Sequence, residues 1–159
     1  MSVQKILVTL LVGCTLAALG CAKRDLTEER NELNLNRTKW QQQNISSYSI
    51  FAIQSCYCKQ NDLEVLISVE NNVINFVKDS GRAGQARFSV DPADVANHVY
   101  PTIDELFTKI EKAIGERAET LEVTYDETYG YPSKLVIDYS KNSMDDEITI
   151  KIRPQILSQ

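Results

Sequence analysis

The pattern of apolar and polar positions changes period several times along the chain, and each change marks an element. From Thr27 to about Asn44 there is no glycine or proline. Leu26, Leu33 and Trp40 recur every seven residues, which predicts a helix with one narrow apolar stripe. Thr27 is placed to cap it, and Glu28 and Glu29 occupy the first turn, where acids interact well with the helix dipole. The period then drops to two. Tyr48, Ile50 and Ala52 alternate with Phe51, Ile53 and Tyr57, a strand with both faces largely covered. After a turn at Asn61-Asp62, Leu63, Val65, Ile67 and Val69 form a half-buried strand. Asn71-Asn72 predicts a tight hairpin turn, because asparagine tolerates positive φ, and Val73 to Val77 is the return strand.

The stretch from Asp79 to Pro101 is irregular, with Gly81, Gly84, Pro92 and Pro101, and Phe88 to Val90 is a candidate short strand within it. Thr102 opens a second helix over about 102–114, in which Ile103, Leu106, Phe107, Ile110 and Ala113/Ile114 follow the spacing of a helix buried on one face. Gly115 is the expected stop. Three strands with a clean two-residue period follow: Leu121/Val123/Tyr125, Leu135/Ile137/Tyr139 and Ile148/Ile150/Ile152. The turns between them are Glu127 to Pro132 and Ser140 to Asp146. The expected fold is α+β: an N-terminal helix, a twisted antiparallel sheet of five or six strands, and the second helix on one sheet face.

The first twenty residues differ from all of this. Lys5 is their one charge, and Ile6 to Gly20 carry none. That run is shorter than the roughly 20 apolar residues a spanning helix needs. It reads as an export signal of residues 1–20. Ala18-Leu19-Gly20-Cys21 resembles the lipobox of bacterial lipoproteins, which implies that Cys21 is acylated and becomes the new N-terminus. A rival box, Leu11-Val12-Gly13-Cys14, leaves only about eight residues for the apolar run, near the lower limit for a signal. Residues 21–26 are then a lipidated tether and 27–159 a single domain. Ala22 stands where the sorting pattern places aspartate for inner-membrane retention, so the resemblance implies the outer membrane in an organism with two. The expected location is the cell envelope, reached through the lipid anchor.

Loss of residues 1–20 removes Lys5 and no acid, moving the formal charge from −5 to −6. A mildly acidic domain without a basic patch is unsuited to nucleic acid, where Lys and Arg must displace phosphate counterions. Of the four cysteines, only Cys56 and Cys58 remain as thiols after processing. On a flat strand their Cα atoms lie about 6.6 Å apart with side chains on one face. A bond between them requires a bend, such as a bulge or a strand end. A local disulfide is the favoured reading in an oxidising compartment. A redox-active dithiol, a metal site and idle thiols are the alternatives.

Tyr125-Asp126 with Gly130-Tyr131-Pro132 reads first as a turn and second as an exposed recognition edge built from Tyr129 and Tyr131. Asp145-Asp146-Glu147, with Asp126 and Asp138, does not match the ligand spacing of a calcium loop and reads as a solvated acidic turn. His98 is the single imidazole and no nucleophile signature is present, so no catalytic residue, cofactor or metal is expected. The expected partners are the membrane, through the anchor, and an envelope protein or small ligand.

Trp40, Tyr48, Cys56-Tyr57-Cys58, Val69-Glu70-Asn71-Asn72-Val73, Thr102-Ile103-Asp104-Glu105-Leu106-Phe107, Tyr125-Asp126, Gly130-Tyr131-Pro132, Ile137-Asp138 and Asp145-Asp146-Glu147 occur in an order that resembles the DUF6174 family, a domain of unknown function common in bacterial lipoproteins. The resemblance covers about residues 35–153. Asn72 departs from it, since glycine is usual at that turn position. The family implies no activity and no catalytic residues.

Overall fold

The computed structural model describes residues 25–58, 62–80, 100–140, 142 and 146–158. Helix α1 spans Thr27–Gln42, and the strands β1 (Ser47–Cys56), β2 (Leu63–Glu70) and β3 (Val73–Asp79) follow. Helix α2 spans Ile103–Glu116 and precedes β4 (Thr120–Tyr125), β5 (Pro132–Asp138) and β6 (Ile148–Ser158). The six strands form one antiparallel sheet in the order β3-β2-β1-β6-β5-β4. The fold is α+β, as the pattern of periods implied.

Both helices pack on one sheet face. Tyr48, Ile50 and Ala52 from β1, Val65, Ile67 and Val69 from β2, and Leu135, Ile137, Ile150 and Ile152 from β5 and β6 are buried beneath them. α2 contributes Ile103, Leu106, Phe107, Ile110, Ala113 and Ile114, the residues of the predicted stripe. α1 buries Leu26, Leu33 and Trp40, its seven-residue repeat. On the other face Phe51, Ile53 and Leu66 are half-buried. The Arg153 guanidinium sits 4.0 Å above the Phe51 ring and 3.2 Å from Glu64 Oε1, so a charged side chain covers that ring.

Local chemistry explains the element ends, and several differ from expectation. Thr27 is the first helical residue rather than the cap. Its backbone N–H and hydroxyl both donate to Asp25 Oδ1, at 3.0 and 2.5 Å. These hydrogen bonds hold the Asp25 carboxyl below the usual carboxylate range. α1 stops at Gln42, two residues short of the prediction, with Asn44 left-handed at φ 54°.

α2 opens with a capping box: Thr102 Oγ1 accepts from Glu105 N–H and Glu105 Oε2 accepts from Thr102 N–H. It does not stop at Gly115. Arg117 takes the left-handed conformation at φ 57°, with Arg117 N–H donating to the Ile114 carbonyl and Ala118 N–H to that of Ala113. This is a Schellman ending, in which an apolar residue after the cap contacts the last turn. Ala118 is buried and supplies that contact, whereas Gly115 lies on the exposed side.

Asn71 and Asn72 have φ of 51° and 63°, the two positive values a type I′ hairpin needs. β3 runs to Asp79, two residues past the predicted return strand. Residues 81–99, with the Phe88–Val90 strand and His98, lie outside the described residues, as do 1–24 with Cys14 and Cys21. β6 extends well past Ile152. Its register against β1 shifts where Ile50 faces Pro154, a residue with no N–H to donate. β5 pairs with β6 only as far as Lys151, so this segment has β1 alone as partner and tolerates the proline.

Candidate functional site

Most of the motif residues close the architecture. The Trp40 ring meets Tyr48 edge-on, with centroids 5.7 Å apart, and Tyr131 at 6.2 Å. Tyr48 Oη accepts a hydrogen bond from Ile103 N–H at 2.9 Å, tying the start of β1 to the start of α2. Desolvation raises the phenol pKa of both Tyr48 and Tyr131 above the ordinary tyrosine value.

The exposed edge expected of Tyr129 and Tyr131 is not formed: Tyr131 is 3% exposed and Tyr129 is half-buried. The cause is the β4–β5 turn. Asp126 Oδ1 accepts from the N–H groups of Thr128 and Tyr129, and Gly130 N–H donates to the Asp126 carbonyl. Gly130, at φ 82°, brings the turn against α1, where an added Cβ would lie 2.6 Å from the Asn36 carbonyl. Lys39 Nζ donates to the Glu127 carbonyl from the helix side. The turn is therefore a cradle for α1, and its tyrosine belongs to the core.

Cys56-Tyr57-Cys58 behaves differently. Cys56 ends β1, and the chain bends so that Cys58 N–H donates to the Cys56 carbonyl at 2.8 Å. The Cα atoms come to 5.3 Å and a disulfide joins the two residues. This is the strand-end bend that a flat strand lacked. The Gln54 amide contacts Cys56 Sγ at 3.2 Å and Cys58 Sγ at 3.9 Å. Tyr57, held between them, is 85% exposed. Among the motif aromatics it alone projects into solvent.

Because the bridge closes a ring of only three residues, its loss removes about 1.5 kcal/mol of chain-entropy stabilisation. Cys58→Ser is expected to lower the urea midpoint slightly and leave the fold intact. A loss above about 3 kcal/mol, where loops of fifteen residues fall, contradicts that local role.

A second feature lies at the opposite end of the sheet. Trp40, Gln41, Asn44, Ile45, Ser46, Asn72 and Asp104 line an open recess of about 300 Å³. It is walled by amides, a hydroxyl and a carboxylate over an apolar floor, chemistry suited to hydrogen-bonding a small polar group. The sequence concealed it because three separate segments contribute, residues 40–46, Asn72 and Asp104. Asn72, the departure from the family pattern, is one of its walls.

Among the described residues the acidic side chains do not converge. Asp126 caps its own turn and Asp138 Oδ1 accepts from Ser140 N–H. Asp145 lies outside the described residues. Among the described residues, no group of three His, Cys, Asp or Glu side chains could hold a metal ion.

No curated protein and no solved structure matches this chain. The model of a family of unknown function matches residues 32–155, from within α1 to within β6. By that match over most of its length, the chain belongs to the DUF6174 family.

Proposed function

We propose that this protein is an envelope lipoprotein, acylated on Cys21, whose domain is a non-enzymatic binding or accessory module. The observation that carries the reading is the junction between leader and domain. Ile6 to Gly20 carry no charge and end at Ala18-Leu19-Gly20-Cys21, and folded structure is already present four residues later. Asp25 holds the first turn of α1, and Leu26 is buried. Leader, acceptor cysteine and folded body therefore abut with only residues 22–24 between. The Cys56–Cys58 disulfide agrees with an oxidising compartment. Among the described residues no helix is long and apolar enough to cross a membrane.

The binding role is supported by the recess beside Trp40, whose polar walls stand open at one end of the sheet. It fits a small polar ligand or the side chains of a partner protein. Mass spectrometry of the N-terminal peptide tests the anchor. The expected product begins at Cys21 with acyl mass, and the protein fractionates with membranes. Cys21→Ala is expected to abolish both. A protein that still begins at Met1 without acyl mass overturns the proposal, and acyl mass on Cys14 moves the boundary.

A further inference from the structure

Strand register and helix pairing together show which end of the domain carries the tether. α1 and α2 run antiparallel: Arg37 donates to the Phe107 carbonyl and pairs with Glu111, while Leu26 and Arg30 share a 170 Å³ recess with Ile114 and Arg117. The start of α1 thus lies at the end of α2. From there Arg117 leads within three residues into Thr120, the first residue of β4. Thr120 pairs with Asp138, Ile137 with Ile148, and Ile148 with Cys56. The disulfide-closed tip is therefore at the same end of the sheet as the start of α1. Three strand spacings separate β1 from β4, about 14 Å. The recess lined by Asn72 and Asp104 is at the far end.

From this placement we infer that Tyr57 seats the domain on the lipid surface, its ring lodged among the headgroups beside the acylated cysteine. The inference rests on the proposed acylation of Cys21. From Cys21 to Asp25 the chain spans four residues and reaches about 14 Å at full extension. So short a tether keeps the α1-start end of the domain against the bilayer and brings the tip at that end within reach of the interface. Tyrosine suits that boundary, since its ring is apolar and its hydroxyl prefers water. Tyr57 sits within the three-residue ring and is 85% exposed.

General charge attraction is not the cause. The processed chain has a formal charge of −6, from −5 less Lys5. Around the start of α1 and the end of α2, Arg30 and Arg117 lie among Asp25, Glu28, Glu29, Glu116 and Glu119. With the tip down, the polar recess faces away from the membrane.

The test uses the full acylated protein in phosphatidylcholine–phosphatidylglycerol vesicles containing lipids brominated near the headgroup end of the acyl chain. Tyr57→Trp and Val73→Trp report on the two ends, because Val73 is 67% exposed beside the distal hairpin and native Trp40 is buried and constant in both. The expected result is bromine quenching several-fold stronger for Tyr57→Trp than for Val73→Trp. Equal quenching, or stronger quenching at Val73, in protein whose Cys21 carries acyl mass overturns the seating while leaving the anchor standing. Absence of acyl mass on Cys21 overturns the anchor and the seating together.

Discussion

Trp40→Ala is expected to lower the free energy of unfolding by about 3–5 kcal/mol, the range for truncating a large buried aromatic. Trp40 is 4% exposed and makes edge-to-face contacts with both Tyr48 and Tyr131. α1 has few other means of staying in place. Its buried residues are Leu33 and Trp40, with Leu26 buried just before its first turn, and the rest of the helix is strongly polar. A 16-residue helix in water is marginal without such packing. The loss should therefore appear as a lower urea midpoint, together with faster amide exchange across α1 than across β1. A stability change below about 1 kcal/mol would mean that α1 is held by its polar contacts instead, chiefly Arg37 to Phe107 and Lys39 to Glu127.

Gly130→Ala is expected to cost about 2–5 kcal/mol, from two sources that add at this position. An alanine at φ 82° pays roughly 1–2 kcal/mol for the left-handed backbone. Its Cβ also lies 2.6 Å from the Asn36 carbonyl and 3.0 Å from Lys39 Cβ. Forcing atoms into an occupied site costs typically 1–3 kcal/mol. The backbone oxygen cannot swing aside as a flexible side chain could, so relief requires α1 to lift from the turn. Gly115→Ala is the matched control: a Cβ there meets nothing within 4 Å, and the substitution in an exposed helical position should stabilise by up to about 1 kcal/mol. Thermal unfolding of the two variants should move in opposite directions. Similar shifts would refute the cradle.

These residues also show what the chain reveals unaided. The α2 stripe was legible because six apolar residues recur at helical spacing and one buried face satisfies them all. The hairpin was legible because two adjacent asparagines admit few backbone alternatives. Sheet membership followed from the two-residue period. What escaped depends on contacts between distant segments. Tyr131 looks like a turn residue free to face solvent until α1 is laid over the turn, ninety residues away in sequence. The stop of α2 at Arg117 instead of Gly115 is set by burial of Ala118, a tertiary fact. β6 outruns its apolar alternation because β1 supplies a backbone partner up to Ser158. For the candidate sites, the Cys56-Cys58 bond could be reasoned from compartment and geometry, whereas the recess could not, since no local pattern joins Gln41, Asn72 and Asp104.

The pairing of β1 with β6 has a consequence for when the protein can become itself. β1, β2 and β3 are neighbours in order of synthesis, and so are β4, β5 and β6, but the two triplets meet only along the β1–β6 seam. The seam joins the earliest strand to the latest, and such distant partners find each other slowly. Until Ile148 and its successors emerge, the chain holds two half-sheets with their inner margins unpaired. The sheet thus becomes continuous only at one joining step, when β1 and β6 find each other.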